Sequence, residues 1–448
     1  MTFNPHTAED RAEMLAAVGV ASVDELFAGI PEDILRPDLH LPPALTEMEA
    51  AARMAELAGK NLQITPGASF LGAGSYSHYV PAVVNQILLR GEFFTAYTPY
   101  QPEVAQGTLQ VIYEFQSMVA ALLGTDVANA SLYDGATAVS EAVLMAIAAA
   151  RNRERIVVAR TVHPHYREVL HTYVSGRDLQ VDELPLPTVP NLLTSIEDIT
   201  AQLRDDVACV VIQYPNFYGG IEDVAGIAEA VHAAGAILIV ATSPVPLGVL
   251  TPPGDLGADI VTAEGQSLGV AQSFGGPYVG LLGARQSFVR LMPGRLAGVA
   301  TDSEGKRGFV LTLQTREQHI RREKATSNIC TNQGLMATAA TVHMAALGPQ
   351  GFREVAERCY HNAHFLADQI ALLHGYEVVG DGPFFHEFVV KTPAPPADIN
   401  RRLSTIGVIG GLDLGRYEPA LSGHMLFCAT ELNDRAAIDR LVDALRDI

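Results

Sequence analysis

Apolar residues along the chain follow two patterns. Val104, Leu109, Ile112, Phe115, Val119 and Leu122 recur three to five positions apart, which predicts a helix with one buried stripe. Elsewhere they form short unbroken runs, RIVVA, LQVDEL, ACVVIQYP, AILIVA and ADIVTA, of the kind that strands buried on both faces require. Helical stretches at 137–150, 164–173 and 223–234 separate these runs, the last capped by Asp223. ANASLYDGA reads as a strand and turn, 278–282 as one more strand and 286–291 as a short helix. Such alternation builds a mainly parallel sheet covered on both faces.

The two ends of the chain differ from this middle. Residues 1 to 65 read as helices, with Thr7 and Ser22 at cap positions, Pro31 as punctuation and Thr46 opening an amphipathic run to Ala58. Residues 335–448 carry a long helical region to 373, a strand pair at 376–379 and 385–391, a helix from Pro396, the strand MLFCA and a closing helix. Three parts are therefore expected: an N-terminal helical segment at 1–65, a large α/β domain with interface loops at 66–334, and a small α/β domain at 335–448.

Composition then narrows the class. With 30 Lys+Arg against 50 Asp+Glu, the net charge over 448 residues is −20, which opposes general affinity for nucleic acid or anionic membrane. Hydrophobic residues make up 48% and charged residues 18%, a mixture that folds. No apolar run approaches the roughly 20 residues of a membrane span. The start, MTFNPHTAED, has no basic region followed by an apolar run, so a soluble, cytoplasmic protein is expected. Cys209, Cys330, Cys359 and Cys428 show no CxxC pairing, which fits a reducing compartment and excludes the obvious zinc patterns.

Candidate chemistry gathers in loops. ITPGASFLGAGSYSHYVP and FFTAYTPYQP hold Tyr76, Tyr79, Tyr97 and Tyr100 among Gly, Ser, Thr and Pro. Tyrosine combines apolar area with a polar tip, which suits subunit interfaces and ligand rims as well as cores. No buried strand precedes the glycines and no GK[ST] follows, which argues against a phosphate loop. Arg316, Arg321, Arg322 and Lys324 form either a solvated face or a carboxylate or phosphate site. His163, His165 and His78 have no Asp, Glu or Cys close in sequence, so structural roles are expected rather than metal binding. Cys330 reads as a packed, inert thiol.

Six motifs carry a more specific message. GAGSYSHYVP, FFTAYTPYQPEVAQGTLQ, YDGATAVSEA, QYPNFYG, SFGGPYVG and REKATSNICTNQ occur in this order. They resemble the glycine decarboxylase (P protein) family of the glycine cleavage system over nearly the whole chain. More narrowly, the chain is similar to the N-terminal half, which in many bacteria is a separate subunit 1. The resemblance implies the aspartate-aminotransferase-like fold (fold type I) of pyridoxal-phosphate (PLP) enzymes. It also implies pairing with a PLP-bearing subunit 2, as an α2β2 assembly. That partner decarboxylates glycine and passes the aminomethyl group to the lipoyl arm of the H protein.

The residues beside the resemblance qualify it. A PLP enzyme of this fold needs a Schiff-base lysine, an acid for the pyridinium and a helix N-terminus for the phosphate. Lysine occurs only at Lys60, Lys306, Lys324 and Lys391. In the active half of the family a His-Lys pair stands shortly before the GGP segment, and counting back from Gly275-Gly276-Pro277 lands on Gln266. The strand AILIVA should end in Asp but continues as Ala241-Thr242-Ser243. Asp134 opens the phosphate-loop-like helix with the wrong charge. At about 4 Å and an effective dielectric of about 20, two like charges repel by roughly 4 kcal/mol.

The chain is thus expected to hold no PLP, no catalytic residue and no metal of its own. It is expected to complete the partner's site instead, with Tyr97, Tyr100, Ser75, His78, Arg316 and Asn328 as contacts to substrate or cofactor across the interface. A pseudoenzyme with a binding or regulatory role on the same fold is the alternative. An independent PLP homodimer is denied by the missing lysine.

Overall fold

The computed structural model describes residues 5–62, 64–380 and 382–448. They form two compact units, Met1–Leu62 and Gln63–Ile448. In the first unit, Thr7 and Thr46 open the helices Ala8–Val18 and Glu47–Ala58 with reciprocal capping boxes, answered by Asp10 and Glu49. Ser22 accepts from the Glu25 amide at the start of the turn Asp24–Phe27. No residue of these helices is buried.

The second unit is built on a seven-stranded sheet. Its strands are β1 (Val127–Ala128), β2 (Arg155–Val158), β3 (Gln180–Glu183), β4 (Val207–Tyr214), β5 (Ile237–Thr242), β6 (Ile260–Glu264) and β7 (Gly280–Ala284). They lie in the order β1-β7-β6-β5-β4-β2-β3. The pairs from β3 across to β6 are parallel, while β7 runs antiparallel to β6 and β1. The unbroken apolar runs of the sequence become its central strands, with Val210, Ile212, Leu238, Val240 and Val261 fully buried. ANASLYDGA departs from its expectation: β1 ends at Ala128, and only Leu132 bridges to Gly280. Ser131 adopts φ 109° and donates its backbone N–H to Asn129 Oδ1, which takes the segment off the ladder.

A hairpin of β8 (Ala297–Thr301) and β9 (Arg307–Leu311) escapes the sequence reading, because AGVAT is small and weakly apolar. A second sheet, in the order β10-β11-β13-β12, comprises β10 (Glu377–Val379), β11 (Glu387–Lys391), β12 (Leu412–Asp413) and β13 (His424–Cys428). The helix Gly334–Ala371 serves both sheets. Ala337, Ala339 and Ala340 pack into the core of the large sheet, and Ala363, Leu366 and Ile370 into that of the small one. Between these halves Gly348 leaves helical geometry (φ 62°, ψ 176°) just before Pro349, as the proline ring disfavours a helical residue ahead of it.

One feature of the topology positions the site. Because β7 returns antiparallel beside β6, their connection, 265–279, lies where the parallel strands end. In open α/β sheets that edge is where ligands bind, and Gln266 stands two residues past β6.

Candidate active site

Gln266 is buried, and its amide is fully engaged. Oε1 accepts from the Tyr76 amide at 2.9 Å, and Nε2 donates to the carbonyls of Tyr76 at 3.0 Å and Val270 at 2.8 Å. The side chain therefore grips the tyrosine loop by both the N–H and the C=O of Tyr76. Other bonds pin the same loop. Tyr76 donates its hydroxyl to Glu387 Oε2 at 2.8 Å, the Ala73 amide donates to Glu387 Oε1, and Ser75 Oγ lies 2.8 Å from the Tyr278 hydroxyl. His78 turns inward, with Nδ1 2.7 Å from Glu431 Oε2.

The helix Gly135–Ala150 starts beside Gln266, and two of its first amides, those of Gly135 and Thr137, are taken by carboxylates. Asp134 Oδ1 accepts from the Thr137 amide at 2.8 Å, and Glu264 Oε2 accepts from the Gly135 amide at 2.9 Å. Burial pushes Glu264 up to about 8; the Asp134 charge adds to this, and three backbone amides oppose it. A Cβ placed on Gly135 would stand 2.5 Å from the Tyr166 hydroxyl and 2.9 Å from Glu264 Cβ, so the space over the helix start is filled. The Tyr166 ring stacks on His163 at 4.7 Å. His163 in turn bonds the Ala73 carbonyl and accepts from the His165 amide, and burial lowers it to about 4. At the end of β5, the Thr242 hydroxyl donates to the Tyr214 carbonyl.

Tyr97 and Tyr100 belong to a second group. Tyr97 is 78% exposed and rims a cavity of about 180 Å³ with Pro99, Ile112, Thr331, Asn332 and Leu335. Tyr100 is held by Arg295, whose guanidinium lies 5.6 Å from the ring centre and 3.5 Å from the hydroxyl. Arg295 is fully buried and also donates to Thr331 Oγ1, Asn332 Oδ1 and the Cys330 carbonyl. Arg316 donates to the Met292 carbonyl, while its Nε and Nη2 are buried without hydrogen-bond partners among the described residues. Asn328 is exposed. Cys330 is exposed as well, against the expectation of a packed thiol, because the chain between the buried Ile329 and Arg295's partners runs along the surface.

Comparison with known proteins now decides the family. Residues 1–445 match the glycine cleavage system P-protein family. The chain belongs to that family. A probable glycine dehydrogenase (decarboxylating) subunit 1 from Thermomicrobium roseum is 59% identical over 447 residues, covering 100% of this chain and 99% of the relative. One of the same description from Geobacillus kaustophilus is 50% identical over 446 residues, covering 99% and 98%. A crystal structure of glycine decarboxylase (P-protein) of the glycine cleavage system, in inhibitor-bound form, superposes with a TM-score of 0.90 at 44% identity over the whole of both chains. A sphingosine-1-phosphate lyase from Burkholderia pseudomallei (TM-score 0.67, 14% identity, 93% and 94% covered) shares the fold. The architecture is fold type I, as the P-protein resemblance implied.

The P-protein fold brings PLP into question, and the residues present do not fit it. Gln266 cannot form an imine. Glu264 and Asp134 already put carboxylates on the Gly135 and Thr137 amides of that helix start, where a phosphate would meet negative charge, and Ala241 and Thr242 offer no carboxylate to a pyridinium. All four lysines are exposed, Lys306 in the β8–β9 turn and Lys391 at the end of β11. Of this arrangement, sequence reasoning foresaw Gln266, Ala241 and Asp134 but missed Glu264, Tyr166 and Arg295. An acid closing the otherwise apolar run IVTAE was the available signal for Glu264. Nothing in GRLAGVA singles out Arg295.

Proposed function

We propose that this chain is the cofactor-free subunit of a glycine dehydrogenase (decarboxylating) of the glycine cleavage system, acting in the cytoplasm. The PLP-bearing subunit 2 is its partner in an α2β2 assembly, and the lipoylated H protein receives the aminomethyl group. The observation that carries the reading is the filled helix start: within a fold type I P-protein chain, Glu264 and Asp134 occupy the phosphate amides and Gln266 replaces the lysine. Decarboxylation then belongs to the partner, and this chain contributes shape, water exclusion and polar contacts to the partner's pocket. Tyr97, Tyr100 and Asn328 are exposed and are proposed to reach it. Ser75, His78 and Arg316 are engaged inward and are proposed to hold the contacting loops from behind.

The test has two arms. The chain alone, mixed with PLP and then borohydride, is expected to yield no pyridoxyl-lysine. Co-expressed with a lysine-bearing homologue, it is expected to co-purify and to be required for glycine decarboxylation. A stable stoichiometric imine on this chain would overturn the reading, as would full activity of the partner alone. In the assembled enzyme, Tyr97→Phe or Tyr100→Phe is expected to lower turnover about tenfold to a hundredfold with assembly intact, the effect of about 1–3 kcal/mol for a lost hydrogen bond to a charged group.

A further inference from the structure

Apart from the filled cofactor region, a second polar cluster lies between the tyrosine loop and the C-terminal sheet. His78 comes from the loop, Cys359 from the second half of the helix Gly334–Ala371, and Glu431 from the turn after β13. His78 Nδ1 stands 2.7 Å and Cys359 Sγ 3.4 Å from the same oxygen, Glu431 Oε2. One donor atom from each residue lies within 4.8 Å of the others. Burial is nearly complete: the side chains of His78 and Glu431 are 5% and 10% exposed, and Cys359 is 0% exposed.

A hydrogen-bond network alone leaves this cluster short of partners. His78 Nε2, His343 Nδ1 and His386 Nε2 are buried with no hydrogen-bond partner among the described residues. His343 and His386 are themselves 4% and 2% exposed, and both stand close enough to His78 and Glu431 to feel their charge. Buried imidazole nitrogens normally find a partner, and the unpartnered one on His78 belongs to a residue already set beside a buried thiol and carboxylate.

We propose that His78, Cys359 and Glu431 bind a divalent transition-metal ion of the zinc class through these three donors. The donor set of imidazole, thiolate and carboxylate is the one such ions take. Charge also balances, since one thiolate and one carboxylate neutralise a dication, so the buried site carries no net charge. Bonds of about 2.0–2.3 Å hold tetrahedral ligand atoms roughly 3.3–3.8 Å apart. The Cys359–Glu431 spacing already meets this, and a small rotation of His78 opens its contact to match. Binding breaks the Cys359 S–H bond, forms the metal–sulfur bond and releases one proton to solvent; no electrons are transferred. The ion would fasten the loop that Gln266 grips to the C-terminal sheet. Its ligands lie 281 and 353 residues from His78 along the chain, which is why no sequence spacing reveals them.

The test uses the full-length, tag-free chain, stripped with chelator and titrated with cobalt(II) as the probe. One cobalt per chain is expected, with the near-ultraviolet absorbance of a cobalt–thiolate bond, and zinc(II) is expected to displace it. Cys359→Ser should abolish that absorbance, while Cys209→Ser, at a site inside the large sheet, should keep it. His78→Asn and Glu431→Gln should each weaken binding about tenfold or more. No saturable uptake by the wild-type chain would overturn the proposal. So would a thiolate band that survives Cys359→Ser, or, should that variant fail to fold, cobalt affinity unchanged by His78→Asn.

Discussion

A single carboxyl can report on the interior of the helix that opens beside Gln266. Glu141 lies in Gly135–Ala150 at 2% exposure, and burial pushes it up to about 7. Its folded value exceeds its unfolded one of about 4.5, so its contribution to stability is complete below about pH 4.5. That contribution is lost as the pH rises to about 7. At about 1.4 kcal/mol per unit of pKa difference, the loss is on the order of 3 kcal/mol. Glu141→Gln removes the dependence while keeping the shape. The melting temperature of the variant, relative to wild type, is expected to rise between pH 5 and about pH 7 and to level off above it; a constant difference would place Glu141 in a wetter setting. Glu264, raised to about 8, extends the same trend further into the alkaline range.

Elements were legible in the sequence wherever one physical rule acted alone. Asp223, Thr7 and Thr46 cap their helices as their side chains predict, because capping depends on neighbours three residues away. The doubly buried strands announce themselves through apolar runs. The β8–β9 hairpin does not, because AGVAT is small and weakly apolar, and neither does the two-residue β1, which owes its pairing to the distant β7. The candidate site divides in the same way. Absent groups, a lysine or an acid, are visible from sequence, while the groups that fill their places arrive from other elements through the fold. The long helix joins both kinds of information. Gly348 sits at φ 62° with nothing within 4 Å of where a Cβ would lie, so any cost of a side chain there is conformational rather than steric. Gly348→Ala is expected to lower stability by about 1 kcal/mol, read as a reduced urea midpoint with an unchanged slope.

For the whole molecule, exposed apolar area sets the expectation of association. Leu89, Phe94, Tyr97 and Val104 are 73%, 58%, 78% and 82% exposed within one short stretch, and Phe274 on the Gln266 loop is 96% exposed. Apolar surface of this density marks an interface. Light scattering at micromolar concentration is expected to give a mass above 47.8 kDa, and Val104→Asp combined with Phe274→Asp is expected to return it to that value. No helix is long and apolar enough to cross a membrane among the described residues. The grip of Gln266 on Tyr76 also bears on any attempt to build a cofactor site here. Gln266→Lys alone is expected not to make this chain hold PLP, because it would release the loop while Glu264, Asp134 and Tyr166 still filled the helix start. Replacing any of those three first leaves a buried hydrogen bond broken or a void with nothing to fill it. On the proposed two-chain reading, packing alone therefore opposes the conversion of this chain into a cofactor-bearing one.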